Sequence, residues 1–323
     1  GIYYGQGGAV SSNTVTSSLL IGTIFPAYNL DAAGGEVTNN VVDRSSMITT
    51  SNMSLYSIAA DSNTVSNSYL WSNSTGAFLD VGSDRNTISF STMIGSAADG
   101  YGLIIVDGDS NTLTRSYMRG GEDGAWFTSG ADYNVVSLST MIGLADEGLW
   151  VDGSDSNLIT QSYIWSPVSG LSFWIGSDFN RVVLSTVIGS NSNYYGVGIW
   201  GSSNTIESSY VAGSTAAHIF GSTGTAVRGS VLEAMGANAA ALVLSSGSVS
   251  LTVATSTLLS PASGRGLALL SDNNGLVSLG SVTFSGSARG IEISTQTGNF
   301  VLAIDSITFR NLASGATAIH FLG

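Results

Sequence analysis

The strongest regularity along the chain is a pair of apolar positions that returns about every two dozen residues. Taking an asparagine as the start of each unit, Asn13, Asn40, Asn63, Asn86, Asn111, Asn134, Asn157, Asn180 and Asn204 follow one another at intervals of 23 to 27 residues. Two positions after them stand Val15, Val42, Val65, Ile88, Leu113, Val136, Ile159, Val182 and Ile206. Seven positions after them stand Leu20, Met47, Leu70, Met93, Met118, Met141, Ile164, Val187 and Val211. Four fainter units start at Gly224, Leu251, Gly275 and Phe300, with Ala226 and Val231, Val253 and Leu258, Val277 and Val282, and Leu302 and Ile307 as their apolar pairs. Apolar positions recurring at a fixed period mark a repeat whose inward residues stack over one another.

A third apolar segment completes each unit, as in Gly148-Leu149-Trp150-Val151-Asp152 and Gly170-Leu171-Ser172-Phe173-Trp174-Ile175. Its alternation is that of a strand, no segment keeps a helical period, and Gly, Ser, Asn and Asp punctuate the runs. The pattern predicts an all-β chain: a β-solenoid of about 13 coils of about 24 residues with three short strands per coil, read as one domain over residues 1–323. Alternation puts Leu149, Val151, Leu171, Phe173, Ile175, Val197 and Ile199 inside. It leaves Trp126, Trp150, Trp174 and Trp200 outside on four consecutive coils, with His218 and Phe220 continuing the strip.

The run Asn-x-hydrophobic, then Ser-x-hydrophobic, then Gly-hydrophobic-x-hydrophobic resembles the right-handed parallel β-helix repeat of pectate-lyase-like proteins, and the resemblance covers the whole chain. It implies the fold and the handedness. Its enzyme members carry motifs that are missing here: there is no Gly-His-Gly with Arg-x-Lys as in polygalacturonase-like enzymes, and no Arg-x-Pro-x-x-Arg or catalytic Lys as in pectate lyases. The resemblance therefore implies a rod and leaves activity open.

Composition narrows the chemistry. All nine basic residues are Arg, against 22 acids, giving a net charge of -13, which excludes Schiff-base and Walker lysines and makes nucleic acid an unsuitable partner. Cysteine is absent, so disulfides, thiolate metal sites and cysteine nucleophiles are excluded. No apolar run is long enough to span a bilayer, so no membrane insertion is expected, and a secreted or cell-surface location is. The charge is uneven: residues 1–223 hold 18 acids and five Arg, whereas residues 224–323 hold four of each.

Several columns of polar residues follow from the repeat. The nine Asn are expected to form an internal amide ladder at a tight turn, and Ser18, Ser45, Ser68, Ser91, Ser116, Ser139, Ser162, Ser185 and Ser209 a second column at the next corner. Asp61, Asp84, Asp109, Asp132, Asp155 and Asp178 stand two residues before the Asn. They are expected to be turn caps, or alternatively a row holding Ca²⁺ between neighbours; no other cofactor is called for.

Two further features carry functional expectations. The outer tryptophans are expected to form a platform for a glycan or to be covered by a like chain, which is also expected to meet this one end to end. The loops leading into the same strand carry Asp99, Glu122, Asp123, Asp146 and Glu147, with Asp80 and Asp152 pointing outward from the strand itself. Asp99, Asp123, Asp146, Glu147 and Asp152 are the candidate acids of a polysaccharide hydrolase or lyase, because glycosidic cleavage needs paired carboxylates. Arg115 and Arg119 are expected beside that zone, where they would serve a lyase as base or carboxylate neutraliser or act as salt-bridge partners, a role sufficient in itself. The first expectation is an adhesive, structural or glycan-binding rod, and the second is the enzyme.

Overall fold

The computed structural model describes residues 1–5, 9–32, 36–191, 193–270, 272–296 and 299–322. The fold is an all-β parallel solenoid whose strands fall into three sets of 14, 13 and 13, one strand of each set per coil, with a short extra pair between Val10–Ser11 and Val37–Thr38. Two compact units are present, Gly1–Ile164 and Trp165–Gly323.

In the first unit the expected columns are the observed register. Val15, Val42, Val65, Ile88, Leu113, Val136 and Ile159 pair in order along the first sheet. Leu20, Met47, Leu70, Met93, Met118 and Met141 do so along the second. These side chains are buried, so each coil adds apolar surface to a continuous core at the strand spacing of about 4.8 Å. On the outward side of the second sheet, Tyr69, Thr92, Tyr117 and Thr140 alternate as direct partners, which sets each ring over a smaller neighbour.

The corners explain the polar columns. The residue before each Asn and the residue before each Ser adopts a left-handed conformation, including bulky Phe90, Tyr133 and Leu138 at φ 48°, 56° and 52°. Such a conformation costs a non-glycine residue about 1–2 kcal/mol, and the residue that follows offsets it. Asn134 Oδ1 accepts the N–H of Asn111 at 2.8 Å, and Asn134 Nδ2 donates to the carbonyl of Gly108 at 2.9 Å. Most of these amides thus hold the backbone of the coil before, while Asn13 with Asn40 and Asn40 with Asn63 also join side chain to side chain. The Ser column repeats the device: Ser139 Oγ accepts the N–H of Ser116 at 3.1 Å and donates to the carbonyl of Ser137 at 2.7 Å.

The second unit winds the same way, with Val182, Ile206, Val227, Val253, Leu279 and Ile304 paired in the first sheet. Val187, Val211, Leu232, Leu258, Phe284 and Phe309 pair in the second. Three of the four faint units therefore start elsewhere than expected. Val227 and Leu232 replace Ala226 and Val231, Leu279 and Phe284 replace Val277 and Val282, and Ile304 and Phe309 replace Leu302 and Ile307. The first strands are longer here, and Leu251 and Val253, or Val277 and Leu279, are inward neighbours two apart and both buried. Without an Asn to mark the corner, a strand period of two leaves the start of the coil ambiguous.

Candidate functional site

The third sheet of the first unit carries an outward apolar column. Asn29, Tyr56, Phe78, Ile104, Trp126 and Trp150 are successive strand partners, each on the side opposite the inward column of Leu30, Ser57, Leu79, Ile105, Phe127 and Val151. Tyr101 stacks on Trp126 at 5.6 Å and Trp126 on Trp150 at 5.1 Å with their planes 10° apart. The indole faces of this stretch are turned toward one another along the column, so the outer surface is a wall of half-buried ring edges. Tyr56, Phe78 and Ile104 were missed in the sequence, where only the tryptophans stood out.

In the second unit the tryptophans sit differently. The outward position between two inward residues is held by Ser172, Gly198, His218, Val243 and Ala268, which are strand partners. Trp174 and Trp200 come two residues later, after Phe173 and Ile199, so the four tryptophans are not a single column but two kinds of position. Alternation marks both positions as outward and does not distinguish them. Ile175 is 66% exposed and not inside, because the strand ends at Phe173 and the chain turns through Gly176 at φ 75°. Trp200 lies over Gly198, where a Cβ would come within 2.5 Å of the indole, and stacks on Phe220 at 4.4 Å. His218 stacks on Phe220 at 3.5 Å, meets Tyr195 edge-on, and its Nε2 is 2.8 Å from Ser245 Oγ. Burial pulls its pKa down to about 4.

Beside the column of the first unit run the acidic loops. Gly121–Gly124 and Leu144–Gly148 join second to third strand in adjacent coils, and the carbonyl of Glu122 accepts the N–H of Leu144 at 3.1 Å. Asp123 is 1% exposed and its Oδ1 accepts the N–H of Glu147 at 2.7 Å. Burial pushes its pKa up to about 8; the Glu147 N–H opposes this, and the charges of Asp146 and Glu122 reinforce it. Tyr101 is held above the usual phenol range by burial and by its bond to Glu122. Among the described residues, the acidic side chains whose oxygens converge are Asp123, Asp146 and Glu147, within 4.8 Å of one another.

The remaining candidates lie apart from that convergence. Asp99 is exposed in its loop. Asp152 points outward at the end of its strand, and burial raises its pKa. Asp61, Asp84, Asp109 and Asp132 each present Oδ1 to the N–H of the next coil's Asp at 2.6–3.0 Å, and Asp178 Oδ1 accepts from Ser202. Arg85 also bridges Asp61 at 2.6 Å. Arg115 does not stand beside the acidic loops: it follows Thr114 at the other corner, 5.2 Å over the ring of Phe90. Neither Arg115 nor Arg119 is in an ion pair among the described residues.

A family model described as periplasmic copper-binding protein (NosD) matches residues 6–218, two thirds of the chain. The chain belongs to the NosD family. A search of curated proteins returns no match. Among solved structures, this NosD-family chain is similar to the Azotobacter vinelandii mannuronan C-5 epimerase AlgE4 A-module, at 12% identity and TM-score 0.59 over 90% of this chain and 91% of that one. It is similar to the Dettilon tailspike protein at 13% identity and TM-score 0.58, over 94% of this chain and 61% of that one. The Streptococcus pneumoniae surface protein and adhesin PfbA matches at 11% identity and TM-score 0.53, over 90% and 92%. At such identities the likeness is one of fold, the right-handed parallel β-helix.

Copper in the family description asks for imidazole, thiolate or thioether donors. This NosD-family chain has no Cys; of its six Met, Met47, Met93, Met118 and Met141 are fully buried in the coil core, and the two accessible ones, Met53 and Met235, stand in different units. His218 is engaged by Ser245 and enclosed by rings, while His320 stands beside Glu292. The convergent donors are all carboxylates. The residues present do not fit copper. No helix among the described residues is long and apolar enough to cross a membrane.

Proposed function

We propose that this chain is a non-catalytic glycan-binding β-helix working outside the cytoplasm, with the third sheet of its first unit as the recognition face. The observation that carries the reading is the outward column in which half-buried Tyr56, Phe78, Trp126 and Trp150 stand at the surface and Ile104 is buried between Phe78 and Trp126, flanked by the loops of Asp146 and Glu147. Five residues at about 4.8 Å spacing make an apolar wall about 20 Å long, the length of several sugar rings. Half-exposed carboxylates beside it accept hydrogen bonds from hydroxyl groups, and the wall takes the C–H surfaces of the rings. A net charge of -13 favours a neutral glycan over a uronate. The family's periplasmic description supports the compartment, and the mannuronan named for the epimerase supports a polysaccharide as ligand, though a charged one that the acidity of this chain disfavours.

Hydrolysis is the weaker reading, because Asp123, whose pKa burial pushes up into the range of a general acid, is enclosed and does not reach a substrate. The test is a glycan array followed by calorimetry on the best neutral hit. Trp150→Ala and Phe78→Ala are expected to weaken binding about tenfold each, and Trp200→Ala to leave it unchanged. Binding indifferent to Trp150 and Phe78, or reducing ends released in a manner abolished by Asp146→Asn, would refute the proposal.

A further inference from the structure

Two observations meet in the loops Gly121–Gly124 and Leu144–Gly148. One carboxylate oxygen from each of Asp123, Asp146 and Glu147 lies within 4.8 Å of the others, a spacing at which like charges repel strongly wherever water is thinned out. Independently, Asp123 is 1% exposed, and while its Oδ1 takes the N–H of Glu147, its Oδ2 is buried without any hydrogen-bond partner. A buried carboxylate oxygen without a donor is costly. No arginine answers it: among the described residues the arginines pair with Asp43, Asp61, Asp84, Glu207 and Glu292.

A divalent cation resolves both features at once, since it satisfies a buried oxygen and turns mutual repulsion into shared attraction. We propose that Asp123, Asp146 and Glu147 bind a hard divalent cation of the calcium class. Three carboxylates without imidazole or sulfur suit an oxygen-seeking ion and not copper. Asp146 and Glu147 are half-exposed, so an ion enters past them while Asp123 closes the inner side. This site lies in the loops and not in the row from Asp61 to Asp178, and it stands whether or not the third sheet binds glycan.

The full chain, stripped with a chelator, is titrated with Ca²⁺ by calorimetry and with Tb³⁺ by luminescence excited through tryptophan. Trp126 and Trp150 lie three residues beyond Asp123 and Glu147, which makes them sensitisers of this site. One saturable Tb³⁺ signal displaced by Ca²⁺ is expected. The pair Asp146→Asn with Glu147→Gln should weaken both titrations at least tenfold, and Asp61→Asn with Asp84→Asn should not change them. Asp123→Asn is expected to abolish binding; should it fail to fold, the Asp146 and Glu147 pair decides alone. The proposal is overturned by the absence of saturable Ca²⁺ binding, by binding that survives the Asp146 and Glu147 pair, or by displacement of Tb³⁺ by Cu²⁺ where Ca²⁺ fails.

Discussion

The third sheet of the first unit and that of the second have the same inward spacing and opposite outward chemistry. In the first, large side chains occupy the position between two inward residues coil after coil, from Tyr56 to Trp150, with acids in the adjoining loops. In the second, that position is held by Ser172, Gly198, His218, Val243 and Ala268 and then by Glu292 and His320, and Trp200 folds down over Gly198 to close against Phe220. Corners change within the second unit: Asn204 still braces the backbone of the coil before it through two bonds, as Asn134 does in the first, whereas Thr225, the equivalent residue one coil later, bonds locally to Ser222 Oγ at 2.7 Å. A solenoid core constrains one side of each strand and leaves the other free to vary, so recognition is to be sought where outward residues repeat in register.

The largest effect should come at the corners. Asn134→Leu strands the N–H of Asn111 and the carbonyl of Gly108, each worth about 1–3 kcal/mol when buried and unpaired. Thr225→Val removes one neutral hydrogen bond, worth about 1 kcal/mol. Denaturant unfolding of both variants measures the gap, and equal losses would erase the distinction between the two kinds of coil. Next in size is Gly198→Leu, whose side chain has no room beneath Trp200. A loss of about 1–3 kcal/mol is expected, together with a change in near-ultraviolet circular dichroism. An unchanged aromatic spectrum would show that Trp200 does not rest there.

Last, because it is absent at neutral pH and develops only on acidification, comes the pH dependence that His218 adds in the second unit. The unfolded chain takes up a proton on His218 near pH 6.5, while burial holds the folded group neutral down to about pH 4. Between these values the unfolded state binds more protons, so stability contributed by neutral His218 is full above pH 6.5 and falls as pH drops toward 4. Melting temperatures from pH 7 to pH 4 should decline less in His218→Gln than in the parent. Parallel curves would mean that His218 is not enclosed.

Much of the fold was legible because Asn and Ser mark two corners at constant distance from their inward residues: the +2 and +7 positions of the first nine units are the observed core. The recognition face was only half legible. Its outward residues stand 15 to 18 positions after the Asn, as Tyr56, Phe78, Ile104, Trp126 and Trp150 do, because the loop between second and third strand varies in length. A count from the Asn therefore scatters a column that the sheet assembles. The tryptophans drew notice by type, and alternation, which marks both kinds of position as outward, joined Trp174 and Trp200 to Trp126 and Trp150.

By itself the sequence determined the winding, since stacking needs only an apolar residue at a repeated interval and a polar one able to hold the turn. Tertiary structure decided which outward side chains became neighbours, that Trp126 would be covered on its faces by Tyr101 and Trp150, and that Asp123 would be enclosed while Asp146 and Glu147 stayed at the surface. The physical reason is that core burial depends on position along one coil, whereas the chemistry of a face depends on distances between coils, and loop length sets those.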